Sequence, residues 1–412
     1  MDQQVAQKFI DEMWMDSIVP ELVEYIKIPN KTPHFDPDWE KNGYMEDAVQ
    51  QIAAWCDQQD IRGKTTEVVR LEGRTPIIFM EIPATDENNE DTILLYGHLD
   101  KQPEMTGWAD DLGPWIPVIK DDKLYGRGGA DDGYAAYASL TAIMALQRQG
   151  IPHARCVVII EACEESGSYD LPYYIDHLED RIGHPSLVVC LDSGAGNYEQ
   201  LWLTVSLRGM AAGTLRADVL NEGVHSGYAS GVVPSSFRVL RQLVDRLEDQ
   251  QDGRVRPDYL YADIPQQRLE QTRAMADNLG DGVWQEYPFV DGTEAMADNN
   301  VDRILNRTWR PALSYTGIEG LPSLQNAGNV LRPYTALKLS MRLPPTIDGE
   351  EASDMMKETL EANPPCGATV SFEADQAASG WNAPEVAPWL HNSLQKASMN
   401  AYGKDVMYMG EG

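Results

Sequence analysis

Basic residues are scarce in this 412-residue sequence: 33 lysines and arginines stand against 65 aspartates and glutamates, and the net charge is −32. Such a protein repels the phosphates of nucleic acid and of anionic membranes, so we expect neither as a partner. No apolar run approaches the roughly 20 residues of a membrane-spanning helix. The start, MDQQVAQKFIDEMWMD, lacks the basic and apolar regions of a signal peptide. The acidity fits a solvated surface in a salty cytoplasm, or a negative field that gathers cations.

Cysteine is also rare. The five cysteines show no CxxC motif and no even pairing, and three of them lie in or beside apolar segments. A free thiol in such a segment behaves as a small hydrophobic side chain. We therefore expect a reduced, cytoplasmic protein.

Two common catalytic motifs are missing. The sequence has no GxSxG motif, so serine catalysis has no support. The glycine-rich residues 126–129 are not followed by the lysine of a P-loop. Asp131 and Asp132 instead occupy the helix start where a phosphate would bind, which argues against a nucleotide site.

A chain of 412 residues is long enough for two domains. Strand and helix patterns alternate to about residue 205 and predict a layered α/β domain. After Gly209, two helices and several strands predict a smaller α+β domain, and the helical pattern of 384–402 predicts a return to the first. We therefore expect a catalytic domain of residues 1–205 and 384–412, with 206–383 inserted into it.

Acidic and imidazole side chains follow several predicted strands. They are His98 and Asp100 after 92–96, Glu164 and Glu165 after 156–162, Asp192 after 187–191, and Asp131 and Asp132 after a glycine turn. Each group alone is typical of a helix cap or a turn. Their coincidence at strand ends, where α/β sheets bind ligands, favours a hydrolytic metal centre.

Imidazole and carboxylate ligands favour zinc, with manganese as the second choice. A shared carboxylate can bridge two ions. Such a centre also needs a general base that is not a ligand, and Glu164 and Glu165 can divide these two tasks. Asp100 can hold His98 through its second ring nitrogen.

Four segments carry a family resemblance: GHLDKQP (97–103), GRGGADDG (126–133), EACEESGS (161–168) and LDSG (191–194). They resemble motifs of the di-zinc aminoacylase and carboxypeptidase-type metallopeptidases, above all the carnosinase-like dipeptidase branch. HSGYASG (225–231) and SMRLPP (340–345) extend the resemblance over nearly the whole chain. It implies a mixed catalytic sheet with helices on both faces and an inserted lid domain that forms a homodimer.

The resemblance also implies the zinc ligands. Asp131 bridges the two ions, His98 and Asp192 complete the first site, and Glu165 holds the second ion. Glu164 is the base that activates a metal-bridged water and then protonates the leaving amine.

Further roles are implied in the same way. Asp100 orients His98, and the peptide bond between Asp131 and Asp132 is expected to be cis. His225 resembles the lid histidine that polarises the substrate carbonyl, often in the partner subunit's site. Arg342 resembles the guanidinium fork that binds the substrate's terminal carboxylate, and Asn329 is a further candidate substrate contact.

One departure concerns the second zinc. The family places another histidine after a glycine-rich loop of EGGS type, and this sequence ends at Gly412, where that loop is expected to begin. The last histidine, His391, lies inside a predicted helix. The first site is complete, whereas we expect the second to lack one ligand.

The sequence thus predicts a metal-dependent hydrolase of dipeptides, or of similar small amides with a free carboxylate. Two alternatives remain open: a deacylase of N-acyl amino acids on the same centre, and a non-catalytic homologue that binds a metal or a peptide. The intact Glu164 argues against the second alternative.

Overall fold

The computed structural model describes residues 1–375 and 377–412. The chain divides into two compact units, Met1–Ser193 and Gly194–Gly412. In this division residues 384–412 group with the second unit. Their predicted return to the catalytic domain stays a prediction.

The first unit alternates helices and strands. Its helices are α1 (Gln3–Met13), α2 (Val19–Ile26), α3 (Trp39–Asn42), α4 (Tyr44–Gln58), α5 (Ala135–Arg148) and α6 (Leu171–Ile182). Its strands are β1 (Thr65–Val69), β2 (Ile77–Ile82), β3 (Thr92–His98), β4 (Val118–Lys120), β5 (Lys123–Tyr125), β6 (Arg155–Glu161) and β7 (Leu187–Cys190).

Five strands form one mixed sheet in the order β1-β2-β6-β3-β7. Strands β1, β2 and β6 are antiparallel neighbours, whereas β3 runs parallel to both β6 and β7. Because neighbouring side chains of a strand point to opposite faces, the sheet has a core on each side. Ile78 and Val158 pack with helices α4 and α5, whereas Phe79 and Ile159 pack with Tyr174 of α6. The predicted sheet with helices on both faces is confirmed.

The amphipathic amino-terminal segment forms α1 and α2, joined by one wider helical turn, Trp14–Ile18. Asp2 caps α1 by accepting the backbone N–H groups of Gln4 and Val5, which the first turn of a helix otherwise leaves unpaired. Phe9 and Leu22 face the core, as their spacing predicts. Among the helices of the described residues, none has the length and apolar character needed to cross a membrane.

The second unit is richer in antiparallel strands. Its strands are β8 (Trp202–Leu207), β9 (Gly209–Asp218), β10 (Val224–His225), β11 (Ala312–Glu319), β12 (Val330–Leu331), β13 (Tyr334–Leu343), β14 (Thr369–Ala374), β15 (Trp381–Asn382) and β16 (Met407–Glu411). Its helices are α7 (Ser226–Ala229), α8 (Ser236–Val244), α9 (Gln266–Leu279), α10 (Gly282–Gln285), α11 (Asn300–Thr308), α12 (Gly349–Glu361) and α13 (Pro388–Tyr402).

The main sheet of this unit is antiparallel, in the order β11-β13-β9-β14. Leu215 of β9 and Leu339 of β13 share a core with Leu240 of α8 and Met356 of α12. Burying such a side chain contributes roughly 1.5–3 kcal/mol to stability. Two helices packed on an antiparallel sheet are the predicted α+β arrangement.

Candidate metal centre

Parallel pairing brings the acidic segments of the first unit to one edge of its sheet. In the register of β3 with β6, His98 lies opposite Glu161, and in that of β3 with β7, Tyr96 lies opposite Cys190. The residues that follow each strand therefore leave the sheet side by side. This is the edge at which open α/β sheets bind ligands.

Asp131 and Asp132 lie in a turn, Gly129–Gly133, between β5 and α5. The peptide bond that joins them is cis, as the family resemblance implies. Their φ angles of −131° and −122° are not helical, so α5 begins at Ala135 and not at Asp132 as predicted. Gly97 of β3 permits this close approach, because a Cβ there would lie 2.6 Å from Asp132 Oδ2.

The imidazole of His98 lies at the centre of the acidic cluster and is fully buried. Its Nε2 atom lies 3.3 Å from Asp131 Oδ1 and 3.5 Å from Asp192 Oδ2. Glu164 Oε2 lies 3.8 Å from the same nitrogen. Four side chains from four separate segments of the sequence thus surround one point.

Two sets of potential ligand atoms meet at His98. One set is His98, Asp131 and Glu165, and the other is His98, Glu164 and Asp192. Within each set the atoms lie no more than 4.8 Å apart. His98 is the only histidine of either set within the described residues. Geometry therefore groups the four predicted ligands with the predicted base.

Asp100 is fully buried and holds the neighbouring segments in place. Its Oδ1 accepts the backbone N–H of Glu164 at 3.1 Å, and its Oδ2 accepts that of Glu165 at 3.0 Å. The ring nitrogen Nδ1 of His98 lies 3.1 Å from the backbone oxygen of Asp100 and 3.5 Å from its Oδ1. One carboxylate therefore touches both the imidazole and the Glu164–Glu165 pair.

Unpaired buried atoms show what this cluster can bind. His98 Nε2, Glu165 Oε1 and Asp132 Oδ1 are buried and have no hydrogen-bond partner among the described residues. Buried polar atoms are normally paired, and two of these three residues, His98 and Glu165, belong to the ligand sets. Imidazole nitrogen and carboxylate oxygen are the donors that zinc and manganese accept. The residues fit a divalent cation.

The electrostatics agree with this assignment. Burial raises the pKa of Glu164 to about 7, although His98 acts in the opposite direction. Burial also raises the pKa of Asp132 to about 8. Burial opposes protonation of His98, but the surrounding carboxylates, Asp100 first, raise the pKa of the imidazole. Crowded buried carboxylates of this kind favour a positive charge among them.

Two supporting residues were not assigned a role from the sequence. Gln102 donates from Nε2 to Glu165 Oε2 at 2.5 Å, and Asp132 Oδ2 accepts the backbone N–H of His98 at 3.3 Å. Both lie inside the motifs that suggested the site. Their positions next to the proposed ligands in the sequence could have suggested these supporting roles, because residues that orient metal ligands are commonly close to them.

The candidate substrate residues lie in the second unit. His225 pairs with Val330 between the short strands β10 and β12. Ser226 donates its backbone N–H to the carbonyl of Asn329 at 2.8 Å, so His225 and Asn329 are neighbours. Arg342 lies on β13, opposite Met210 of β9. Their roles toward a substrate stay predictions.

Known proteins resemble this chain over most of its length. It is 28% identical over 365 residues to the Beta-Ala-His dipeptidase of Mus musculus, which covers 85% of this chain and 72% of that protein. It is 24% identical over 398 residues to the Cysteinylglycine-S-conjugate dipeptidase of Corynebacterium striatum, which covers 95% of this chain and 82% of that protein.

The fold also has a solved counterpart. The di-peptidase Dug1p of Saccharomyces cerevisiae superposes with a TM-score of 0.75 at 22% identity, over 100% of this chain and 87% of that one. The profile of peptidase family M20/M25/M40 matches residues 94–412, a segment that contains every motif quoted above. The chain therefore belongs to peptidase family M20/M25/M40, a family of metal-dependent hydrolases, as its motifs predict.

Proposed function

We propose that the protein is a dipeptidase, which hydrolyses the amide bond of dipeptides or of similar small substrates with a free carboxylate. The observation that carries this proposal is the pair of overlapping ligand sets, His98 with Asp131 and Glu165 and His98 with Glu164 and Asp192. The dipeptidases among its relatives support the choice of substrate class.

The residues that would hold the metal are His98, Asp131, Asp192 and Glu165, and Asp131 would serve both ions. Zinc is the first choice and manganese the second, because imidazole and carboxylates suit both. A bound divalent cation would act as a Lewis acid that polarises the scissile carbonyl and lowers the pKa of bound water.

The remaining tasks fall to the chain's own side chains. Glu164 takes the proton of the attacking water and returns it to the leaving amine. It suits this task because its side chain is 34% exposed beside the buried His98. Asp100 fixes the backbone of Glu164 and Glu165 and thereby aims the two carboxylates.

The second unit supplies the proposed substrate contacts. Arg342 binds the terminal carboxylate, a task for which the planar guanidinium is well shaped. His225 donates to the oxyanion that develops on the scissile carbonyl, and Asn329, its neighbour, is a further contact. We propose that residues 206–383 form a lid domain that is inserted into the catalytic domain.

A homodimer through this lid is part of the proposal. Strand β11 is an edge of the main sheet of the second unit. Phe237, Tyr315 and Ile318 expose 39%, 47% and 56% of their surfaces around a groove beside it. An open strand edge with an apolar groove is a suitable surface for a second copy.

A cytoplasmic location remains our proposal. The five cysteines are free thiols. Three of them, Cys56, Cys156 and Cys163, are buried. Reduced thiols are typical of proteins in a reducing compartment.

The first test is metal content. The purified chain is loaded with zinc, freed of unbound ion and measured by elemental analysis. Zinc binding that is lost in His98→Ala supports the proposed centre. Two ions per chain would mean that another group takes the place of the expected second histidine. No zinc above the His98→Ala background would contradict the proposal.

Activity on dipeptides and on their N-acetylated forms separates the alternatives. A dipeptidase that requires the free amine loses activity on the acetylated substrates, whereas a deacylase prefers them. Zinc binding without hydrolysis of either class would favour the non-catalytic homologue.

A further inference from the structure

A cavity of about 1170 Å³ lies within the second unit. This volume is slightly above the roughly 300–1,000 Å³ of pockets that bind small organic molecules. Five of the 33 basic residues of the chain line it: Arg208, Arg254, Arg303, Arg307 and Arg310. Such a concentration of positive charge contrasts with the net charge of −32.

Two of these arginines are already neutralised. Arg307 forms a salt bridge with Glu286 at 2.8 Å, and Arg310 forms one with Asp302 at the same distance. Their charges are therefore compensated by the protein itself. They form the wall of the cavity and leave little charge for a ligand.

Arg208 and Arg303 differ from this pair. Neither has a carboxylate within 4.0 Å in the part of the chain that the structure describes. Arg208 donates from Nη1 to the backbone oxygen of Asn306 at 3.1 Å, and Arg303 donates from Nη1 to Asn300 Oδ1 at 2.7 Å. Among the described residues, the hydrogen bonds found for these two guanidinium groups go to neutral oxygen atoms.

The Nε atoms of Arg208 and Arg303 are buried and have no partner among the described residues. An unpaired buried donor on a charged group destabilises the fold. Burial, and then the neighbouring Arg342 and Arg307, lower the pKa of Arg208 to about 10. An anion in the cavity would pair with these two charges.

Aromatic side chains supply an apolar surface in the same cavity. Trp284, Tyr287 and Phe289 all line it. The ring centres of Trp284 and Phe289 lie 6.2 Å apart, and the guanidinium of Arg303 lies 5.5 Å from the centre of the Trp284 ring. One unpaired charge therefore lies beside a platform on which a flat apolar group can pack.

We propose that this cavity binds a small organic oxyanion, a carboxylate or a phosphate ester that carries a flat apolar group. Arg208 and Arg303 bind the oxyanion, and Trp284 and Phe289 contact the apolar group. The inference does not depend on the proposed peptidase activity, because Arg208, Arg303, Trp284 and Phe289 are neither proposed metal ligands nor proposed substrate contacts.

The test uses calorimetric titration of the zinc-loaded full chain with 3-phenylpropionate, phenyl phosphate and the neutral 3-phenylpropionamide. We expect one molecule of acid to bind per chain and the amide to bind at least tenfold more weakly. Binding of the acid should weaken as the sodium chloride concentration is raised. The tighter of the two acids identifies the oxyanion class. Equal affinity for the acid and the amide would overturn the inference.

Variants locate the bound acid. Arg303→Gln and, separately, Arg208→Gln are each expected to weaken it about tenfold or more, because a charged hydrogen bond is lost. Arg273→Gln is the matched control, since Arg273 is an exposed residue of α9 and does not line the cavity. Melting temperatures show that each variant is folded. Unchanged binding in folded Arg303→Gln and Arg208→Gln would place the acid elsewhere and refute the proposal.

Discussion

The carboxylate of Asp100 accepts the backbone N–H of Glu164, with 3.1 Å between Oδ1 and the nitrogen. Its other oxygen accepts the N–H of Glu165 at 3.0 Å. Because Asp100 also lies beside His98 Nδ1, a single buried side chain links the imidazole to both glutamates. We therefore propose that Asp100 acts on the centre through the residues that it positions.

Asp100→Asn tests this link. The amide keeps one acceptor oxygen but points a second donor at a backbone N–H, so the glutamate turn is expected to shift. We expect zinc affinity or kcat to fall about 10- to 100-fold, as for other residues that orient ligands. Competition with a fluorescent chelator measures the affinity. Asp110→Asn, an exposed substitution in the same unit, is the control, and equal behaviour of the two variants would argue against the link.

Substitutions of the two adjacent glutamates are expected to affect different quantities, kcat for Glu164 and zinc affinity for Glu165. Glu164→Gln removes the proposed base and should lower kcat about 10²- to 10⁴-fold while zinc content stays that of the wild type. Glu165→Gln removes a proposed ligand and should lower zinc affinity itself. Elemental analysis and initial rates on one dipeptide distinguish the two. Loss of zinc in Glu164→Gln with retention in Glu165→Gln would reverse our assignment.

The grouping of these side chains was predictable because each of the segments that carry them is recognisable locally in the sequence. His98 with Asp100, and Glu164 with Glu165, directly follow apolar strands whose pattern is plain. Parallel pairing of β3 with β6 then brings the two groups together. The start of α5 could not be predicted, because Asp131 and Asp132 combine helix-capping character with non-helical φ angles that only the folded site requires.

Helix α9 shows a second limit of prediction from the sequence. Hydrophobic periodicity reveals a helix when its buried face is apolar. The buried face of α9 includes Arg268 and Thr272 beside Met275 and Ala276. Arg268 is satisfied by Asn382 Oδ1 at 2.9 Å and by the backbone oxygen of Ala383 at 2.7 Å. Such pairing depends on residues more than a hundred positions away, so the local pattern does not contain it.

Arg342→Ala is expected to act mainly on KM. If Arg342 binds the terminal carboxylate, the variant should raise KM for dipeptides with a free carboxylate at least tenfold, because a charged hydrogen bond is lost. Amidated dipeptides should be affected much less. Arg273→Ala, at an exposed position of α9 in the same unit, is a suitable control for the loss of one positive charge. Equal losses on free and amidated substrates would refute the proposed role.

The exposed edge strand offers a test of the proposed homodimer. Ile318→Lys places a charge on β11 and should shift the protein from dimer to monomer, because a buried unpaired ammonium is strongly unfavourable. Light scattering during gel filtration measures the mass. Ile119→Lys is the matched control, since Ile119 is 63% exposed on the first unit. A dimer that persists in Ile318→Lys would exclude this strand from the interface.

Lys101 is a fully buried lysine three residues after His98. Its Nζ donates to the backbone oxygens of Tyr25 at 2.7 Å and of Ile28 at 2.8 Å, and it lies 3.7 Å from the centre of the Tyr25 ring. These contacts hold the end of α2 against the segment that carries His98. Burial lowers the pKa of Lys101 to about 6, whereas an unfolded lysine titrates near 10.4.

This difference predicts a pH dependence of stability. Between these two pKa values the unfolded chain binds more protons at Lys101 than the folded protein, so the contribution of Lys101 to the free energy of unfolding rises with pH. It is fully present above about pH 10.4 and declines as the pH falls toward 6. Urea unfolding of the wild type and of Lys101→Met at pH 6, 7.5 and 9 measures this dependence. The free energy of unfolding of the wild type minus that of Lys101→Met should rise with pH. A constant difference would show instead that Lys101 stays an ammonium, held by its two carbonyl partners and the Tyr25 ring.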